Sequence, residues 1–293
     1  MRCACIDIGS NTTRLLVADV TDAGGGCALA PVVERRAFTQ LGRACRAGET
    51  VPAATREALA CVVAAQADEA RALGAASLRV VATAALRRSA DGLATCHALA
   101  AAAGAPVELL SEHDEARLAF AGATCELREA GDAPVAVADV GGGSAQLVVG
   151  GCASGPTWSV SLPLGSGDLT VAHLRADPPT AGQLAALRAA VDEALAAVAA
   201  PPVGRVLAVG GSATSLRRLA GPRLDAPSLE RTLATVCEGA SADVAERLGL
   251  ATERARLLPA GIVVLAALAR RLGPLEIARG GLREAVLREL AAA

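Results

Sequence analysis

The feature that most constrains the fold of this chain is a glycine-rich turn that occurs twice, once near the start of each half. The first copy lies in ACIDIGSNTTRLLVADV at residues 4–20, and the second in AVADVGGGSAQLVVG at residues 136–150. In each copy an apolar run carries an aspartate at its end, a short turn follows, and a second apolar run begins. Such a pattern predicts a β-hairpin. Two hairpins of one design predict two similar domains.

Between the two copies, Asp7 is matched with Asp139, and Ser10 is matched with Ser144 as the serine of each turn. Glycines 141–143 can take positive φ and leave their backbone N–H groups uncovered by side chains. Successive exposed N–H groups form a nest that binds anions, phosphate above all. An acid at the strand end suits a metal ion or a water between it and the phosphate. The alternative is two unrelated hairpin turns in an α/β protein, and the repeated Asp-x-Gly-Ser pattern argues against it.

Composition bounds the class of protein. The chain has 293 residues, of which 53% are hydrophobic, enough for two domains with cores. Its net charge of −2 provides no basic field for nucleic acid or an anionic membrane. All 28 residues counted as Lys or Arg are Arg, which excludes a lysine-based nucleotide loop or Schiff base. Without a signal sequence or a long apolar run, we expect a cytoplasmic protein with no membrane span, and its nine cysteines as reduced thiols.

The coarse element order is the same in both halves, three strands followed by alternating helices and strands, and no low-complexity linker separates them. Strands are predicted near 2–8, 13–20, 28–38, 77–83, 107–110, 134–140, 145–150, 157–163, 203–210 and 275–279. Helices are predicted near 51–73, 90–103, 112–128, 180–200, from 213, and near 228–249, 253–272 and 281–292. The predicted domains are 1–117 and 118–280, with the last helix, about 281–293, packing back on the first.

Seven segments in this order resemble the exopolyphosphatase and guanosine pentaphosphate phosphohydrolase (Ppx/GppA) family. They are DIGSNTTRLLVADV at 7–20, VVATAALR at 80–87, ELLSEHDEARLAFAG at 108–122, ADVGGGSAQLVVG at 138–150, SVSLPLGSGDLT at 159–170, AVGGSATSLRRLA at 208–220 and RGGLREAVLREL at 279–290. The resemblance implies an α/β fold of the actin, Hsp70 and sugar-kinase type (ribonuclease H-like), with two duplicated domains and an interdomain cleft. The chain is similar to the short two-domain members.

The resemblance also implies which residues form the site. The phosphate-binding residues would be Ser10, Asn11, Arg87, Gly141, Gly142, Gly143 and Ser144. Glu115 would be the catalytic general base that activates water. For Arg87 the alternative is a surface arginine at a helix start. For the acids of this segment it is that they only complement a helix N-terminus, which suits Glu112 and Asp114.

A third candidate anion site lies at Gly210, Gly211 and Ser212, where a strand ends and a helix is expected to begin. A tight packing turn is an equal alternative at this position.

The resemblance points to a metal as well. Asp139 resembles the metal-associated aspartate of the family, so Mg²⁺ is the expected cofactor, with K⁺ as a further candidate. The family usually has Glu where this chain has Gln146. An amide adds no negative charge, so we expect weaker metal binding, a lower rate or an altered ligand set. Two further departures, Arg88 and Arg256, add positive charge.

The expected function is therefore removal of the terminal phosphate of inorganic polyphosphate, with guanosine pentaphosphate as the alternative substrate. A non-catalytic or weakly catalytic binder of polyphosphate or guanosine alarmone is the second hypothesis, which Gln146 permits. A sugar-type kinase is the third, disfavoured because the resemblance extends over the whole chain. A homodimer is an open option, because members of the family often dimerise.

Overall fold

The computed structural model describes residues 1–22, 27–130 and 133–292. The chain forms two compact units, the first comprising Met1–Cys125 with Gly280–Ala293, and the second Glu126–Arg279. The units differ from the predicted division at 117/118, because the helix that crosses this point runs unbroken to Thr124 and stays with the first unit.

The first unit is built on a five-stranded mixed sheet. Its elements are β1 (Arg2–Ile8), β2 (Thr13–Asp22), β3 (Cys27–Ala37), α1 (Leu41–Ala44), α2 (Ala53–Ala72), β4 (Ser77–Ala82), α3 (Ala84–Arg88), α4 (Gly92–Ala103), β5 (Val107–Leu109), α5 (Glu112–Thr124) and, from the end of the chain, α12 (Leu282–Ala292). The strand order is β3-β2-β1-β4-β5, antiparallel from β3 to β1 and parallel from β1 to β5.

Helices cover both faces of this sheet. α2 and α4 enclose one apolar core, and α5 and α12 enclose the other. α5 and the residues before α12 approach closely, since a Cβ on Gly122 would lie 1.9 Å from the carbonyl oxygen of Gly281. The first turn of α5 is fixed by its N-cap, because the Ser111 hydroxyl accepts from the backbone N–H of Asp114.

The second unit is built on a six-stranded mixed sheet. Its elements are β6 (Val135–Val140), β7 (Ala145–Gly151), β8 (Gly155–Leu162), α6 (Ser166–His173), α7 (Ala181–Ala196), β9 (Arg205–Val209), α8 (Gly210–Ala220), β10 (Arg223–Leu224), α9 (Ala226–Val236), α10 (Ser241–Leu248), α11 (Thr252–Leu272) and β11 (Leu275–Ile277). The strand order is β10-β11-β9-β6-β7-β8. Most of α11 is buried, and it forms the centre of the core.

The predicted fold class is confirmed: two α/β units, each opening with a three-stranded antiparallel meander and continuing with parallel strands, to which the second unit adds the short antiparallel β10. The predicted helix at 228–249 is wrong as one element, because the chain breaks into α9 and α10 around Gly239. α8 begins at Gly210, earlier than the predicted 213, and the short elements α1, α3 and β10 were not predicted. Among the described residues, no helix is long and apolar enough to cross a membrane.

Candidate active site

The two glycine turns have the same backbone design. The Gly9 N–H donates to the carbonyl oxygen of Thr12 at 3.0 Å, and the Gly141 N–H donates to that of Ser144 at 3.0 Å. Thr12 is therefore the counterpart of Ser144, and the predicted match of Ser10 with Ser144 is wrong. The alignment paired two serines by identity, whereas the hydrogen bond that closes the turn fixes the equivalent positions.

The aspartates of the two hairpins hold equivalent positions. Asp7 lies opposite Arg14 in the β1–β2 register, and Asp139 lies opposite Gln146 in the β6–β7 register. Residues opposite each other in an antiparallel pair point to the same face of the sheet. Each aspartate thus has a fixed cross-strand neighbour, a cation in the first unit and an amide in the second.

The start of α6 holds the second turn in place. The Ser166 N–H donates to the Gly141 carbonyl oxygen at 2.9 Å, and the Gly167 N–H donates to the Gly142 carbonyl oxygen at 2.8 Å. These bonds use the carbonyl oxygens of the turn, and none of them uses the N–H groups of 142–144. Those N–H groups are the ones predicted to bind phosphate, and the bonds from α6 are compatible with that role.

The first turn is held in the same manner by the start of α1. The Gly42 N–H donates to the Ser10 carbonyl oxygen at 2.8 Å, and the Gln40 N–H donates to that of Asn11 at 3.1 Å. Gln40, the N-cap of α1, is in the left-handed region with φ 48°. Both predicted phosphate loops are therefore hairpin turns whose carbonyl oxygens are bound by a following helix.

The predicted base and the predicted phosphate-binding arginine form a partly buried ion pair in the first unit. Glu115 is 8% exposed, and its Oε2 lies 2.8 Å from Nη1 of Arg87. The same Nη1 donates to the carbonyl oxygen of Leu110 at 2.9 Å. Because the Arg87 side chain is only 18% exposed, the surface-arginine alternative does not describe it.

Glu115 differs from its acidic neighbours on α5. The Glu112 side chain is 61% exposed, and its Oε1 is 3.9 Å from Nη2 of Arg87. Asp114 takes part in the N-cap with Ser111. These two acids therefore complement the helix N-terminus, whereas Glu115 lies inside the unit, paired with a cation.

The electrostatics of this pair favour a proton acceptor. Burial raises the pKa of Glu115, the cation of Arg87 lowers it, and the negative charges of Asp7 and Glu112 raise it again. Burial also raises the pKa of Asp7, against the lowering effect of Arg14. A carboxylate with a raised pKa takes a proton more readily near neutral pH, as a general base requires.

In the second unit Gln146 contacts Ser144. Its Nε2 donates to Ser144 Oγ at 2.8 Å, and the two residues are 2% and 8% exposed. Gly210 lies beside the aspartate, at φ 94°, and a Cβ there would lie 2.8 Å from Asp139 Oδ1 and 2.4 Å from the Val140 carbonyl oxygen. The Asp139 carboxylate therefore lies against the backbone of Gly210, and any side chain at position 210 would displace it.

The third predicted anion site has the contacts of a packing turn. Gly210, Gly211 and Ser212 form the first turn of α8. A Cβ on Gly211 would lie 2.6 Å from Nη2 of the buried Arg254. Ser212 is fully buried under α11, where a Cβ on Gly261 would lie 2.1 Å from its hydroxyl oxygen. These contacts favour the packing alternative for Ser212.

The two additional arginines make local contacts. Arg256 donates through Nη1 to the Ala176 carbonyl oxygen at 2.9 Å and also donates to that of Leu174, at the end of α6. Arg88 donates through Nε to the Ala84 carbonyl oxygen one turn earlier, at 3.3 Å. The Arg256 guanidinium therefore binds carbonyl oxygens of the chain segment that follows α6.

The residues fit a magnesium ion only in part. Within the described parts of the chain, no group of three or more His, Cys, Asp or Glu side chains could hold a metal. Asp139 offers one carboxylate, and the amide N–H of its neighbour Gln146 is directed to Ser144. Mg²⁺ is commonly held by one or two carboxylates together with substrate phosphates and water. The donor set suits an ion that arrives with phosphate.

Three residues that the sequence does not predict as part of the site contact or act on the predicted site residues in the structure. Asp7 belongs to the predicted repeat, and in the structure its negative charge also raises the pKa of Glu115. Gly165 packs against the second turn, where its Cβ would lie 2.3 Å from the carbonyl carbon of Gly143. Arg254 lies against Gly211. The signal for Gly165 was available, since Leu-Gly-Ser-Gly at 164–167 is a second glycine-rich turn that opens a helix.

The structure brings some of the predicted residues together. Arg87 and Glu115 meet in the first unit, which also carries Ser10 and Asn11. Asp139, Gln146 and the turn 141–144 are neighbours in the second unit. The roles assigned to them stay predictions.

Comparison with known proteins gives one family. The model of the Ppx/GppA phosphatase family matches residues 16–292. Exopolyphosphatase 1 of Mycobacterium leprae is 31% identical over 309 residues, covering 99% of this chain and 90% of that protein. Exopolyphosphatase 2 of Mycobacterium tuberculosis is 37% identical over 205 residues, covering 66% of this chain and 61% of that protein.

Solved structures agree with this match. The Ppx/GppA enzyme of Aquifex aeolicus is similar over 99% of both chains, with 26% identity and a TM-score of 0.78. An exopolyphosphatase from Cytophaga hutchinsonii has a TM-score of 0.86 over 100% of this chain and 98% of that one, and at 17% identity it supports the fold alone. With the family model matching nearly the whole chain, the protein belongs to the Ppx/GppA phosphatase family.

Proposed function

We propose that this protein is an exopolyphosphatase that hydrolyses the terminal phosphate of inorganic polyphosphate. Membership of the Ppx/GppA family and relatives named exopolyphosphatase support the substrate class. The observation that carries the proposal is the ion pair between the buried Glu115 and the partly buried Arg87. The pair combines a carboxylate of raised pKa with a guanidinium, which are the two groups that attack of water on a phosphoanhydride needs.

In the proposed reaction Glu115 accepts a proton from the attacking water. The carboxylate is held by Arg87 through one oxygen, Oε2, in a 2.8 Å bond. A carboxylate has two oxygens, so the other can accept the proton while the first keeps the side chain in place. Water attack breaks the anhydride bond, and the leaving oxygen departs on the shortened chain.

Arg87 would bind the phosphate as well as the base. Its Nη1 is used by Glu115 and Leu110, and its Nη2 lies 3.9 Å from the exposed Glu112. A guanidinium has five N–H donors, so Nη2 and Nε can still bind phosphate oxygens and stabilise the charge that develops there. The backbone cradles at Ser10–Asn11 and at 141–144 would add neutral donors without any lysine.

Mg²⁺ is proposed to enter with the polyphosphate and to contact Asp139. When bound, it would neutralise phosphate charge and polarise the phosphorus–oxygen bond.

The test is release of orthophosphate from long-chain polyphosphate by the purified protein with Mg²⁺, with and without K⁺. We expect processive release, and a loss of at least about 100-fold in rate for Glu115→Gln with polyphosphate binding retained. The control is Glu112→Gln on the same helix turn, which removes an exposed acid and should keep most of the rate. Equal rates for the two variants would contradict the assignment of the base.

Two alternatives are decided by the same assay. Guanosine pentaphosphate is assayed in parallel, and faster release from it would make it the substrate. The engagement of Gln146 with Ser144 favours the second alternative, a protein that binds polyphosphate or guanosine alarmone with little turnover. Tight binding without release under varied divalent ions and K⁺ would establish that function instead.

A further inference from the structure

We infer that Gln146 acts on the bound phosphate through Ser144 and is not a metal ligand. The inference rests on the proposed function, since it requires a phosphate at the second turn. It assigns Gln146 as a positioning residue and Ser144 Oγ as the donor that it directs. It also implies that this chain binds divalent metal weakly until polyphosphate is present.

The contact between the two side chains defines their roles. Gln146 Nε2 donates to Ser144 Oγ at 2.8 Å, and both residues are almost fully buried. A hydroxyl that accepts one bond keeps its own O–H proton for another partner. The Ser144 backbone is fixed too, since its carbonyl oxygen accepts from Gly141. The O–H of Ser144 is therefore left to donate to an anion held by the turn.

A glutamate at position 146 would reverse this arrangement. A carboxylate only accepts hydrogen bonds, so it would draw the Ser144 proton toward itself. It would also place a second negative charge on the strand position opposite Asp139, which disfavours phosphate and favours a cation. Compared with a glutamate, the Gln146 amide therefore weakens binding of a metal ion and strengthens binding of phosphate. Asp139 is then the one carboxylate of the cross-strand pair.

The experiment measures binding without turnover in two separate titrations. Binding of Mn²⁺ in the absence of polyphosphate is followed by the loss of the free-ion electron paramagnetic resonance signal. Binding of tripolyphosphate in the presence of EDTA is followed by calorimetry. The variants are Gln146→Glu, Gln146→Leu, Ser144→Ala and the double variant Ser144→Ala/Gln146→Leu. Thermal unfolding of each variant checks that it is folded.

We expect Gln146→Glu to tighten Mn²⁺ binding and to weaken tripolyphosphate binding, each by about tenfold. Gln146→Leu and Ser144→Ala should each weaken tripolyphosphate binding by about fivefold, at the size of one hydrogen bond. The double variant should bind no more weakly than Ser144→Ala alone, because Gln146 acts through that hydroxyl.

The inference would be overturned if the losses of tripolyphosphate binding in the two single variants added up in the double variant. It would also be overturned if the wild type bound Mn²⁺ tightly and Gln146→Leu did not. If Gln146→Leu does not fold, the isosteric Gln146→Glu decides, and unchanged binding of both ligands overturns the inference. These failures leave the proposed function intact. Failure of the wild-type protein to bind any polyphosphate would instead remove the proposed function, and the inference with it.

Discussion

The two hairpin turns share a backbone and differ in the chemistry of their side chains. In the first unit the turn carries Ser10 and Asn11, and an arginine lies opposite the aspartate. In the second unit the same positions are Gly142 and Gly143, and the opposite residue is Gln146. Duplication has thus kept the amide cradle twice, while the side chains have diverged. Under the proposed function, the first turn would bind phosphate with the side chains of Ser10 and Asn11 as well as its backbone, whereas the second would use its backbone N–H groups and the Ser144 hydroxyl.

The surroundings of the aspartates diverge as well. Beyond Asp7 the adjacent parallel strand places Ala82 opposite Ile8, so the first unit accommodates a methyl group there. The equivalent position in the second unit is Gly210, in the left-handed region and against Asp139. The position beside the second aspartate therefore leaves no room for the methyl group that the equivalent position in the first unit carries.

The largest effect is expected from Gly210→Ala. The alanine would have to keep the backbone φ of 94°, and its Cβ would lie 2.4 Å from the Val140 carbonyl oxygen and 2.8 Å from Asp139 Oδ1. We expect a loss of about 4 kcal/mol in the free energy of unfolding, from backbone strain together with overpacking. The matched control is Gly221→Ala, at φ 90° and ψ −177° with nothing within 4 Å, which should lose about 2 kcal/mol from backbone strain alone. Equal losses in urea unfolding would show that contact with Asp139 adds nothing.

A smaller effect is expected at the residues that cap the helices behind the two turns. Gly165 is the N-cap of α6, and a Cβ there would lie 2.3 Å from the carbonyl carbon of Gly143. Gly165→Ala should therefore lower the free energy of unfolding by about 3 kcal/mol and distort the second turn.

Gln40 is the N-cap of α1 and has φ 48°, so Gln40→Gly should raise the free energy of unfolding by up to about 1 kcal/mol. Urea unfolding with tripolyphosphate calorimetry measures both. If Gly165→Ala were as stable as the wild type, the close packing of Gly165 against the second turn would contribute nothing to stability.

The sequence predicted the architecture because the repeat and the apolar periodicity are local signals. The hairpins and the helix with Glu115 follow from contiguous segments, whereas the return of the last helix to the first unit is a long-range contact that local patterns do not predict. The break between α9 and α10 was missed, since one glycine at 239 interrupts an otherwise continuous helical pattern. Single glycines are tolerated in helices at a cost of about 1 kcal/mol, so they are weak stop signals.

The site could be predicted only as separate residues. Arg87 and Glu115 were singled out individually, but their 2.8 Å pairing depends on how α3 and α5 pack, which sequence spacing does not give. The bond from Gln146 to Ser144 was missed for another reason: the residues are two apart, and strand alternation predicts one face without saying which polar atoms meet. The charge of Asp7 on Glu115 likewise depends on tertiary structure.

The smallest effect is a shift in the pH dependence of the rate, which tests whether the first unit alone carries the proton transfer. Because the pKa of Glu115 is raised, the acid limb of kcat/KM should lie at higher pH than for an ordinary glutamate. Asp7→Asn removes a negative charge that raises this pKa, so the limb should move to lower pH. Glu112→Gln should move it in the same direction by less, because its effect on Glu115 is the smaller of the two.

Arg87→Met should shift the acid limb of kcat/KM in the opposite direction. It removes the cation that lowers the pKa of Glu115, so the acid limb should move to higher pH while the rate falls. All variants are compared on one substrate, so that titration of the polyphosphate itself cancels. Asp139→Asn, in the second unit, should lower the rate without moving the limb if proton transfer belongs to the first unit alone. A limb that moves with Asp139→Asn and not with Asp7→Asn would reverse the division of roles between the two turns.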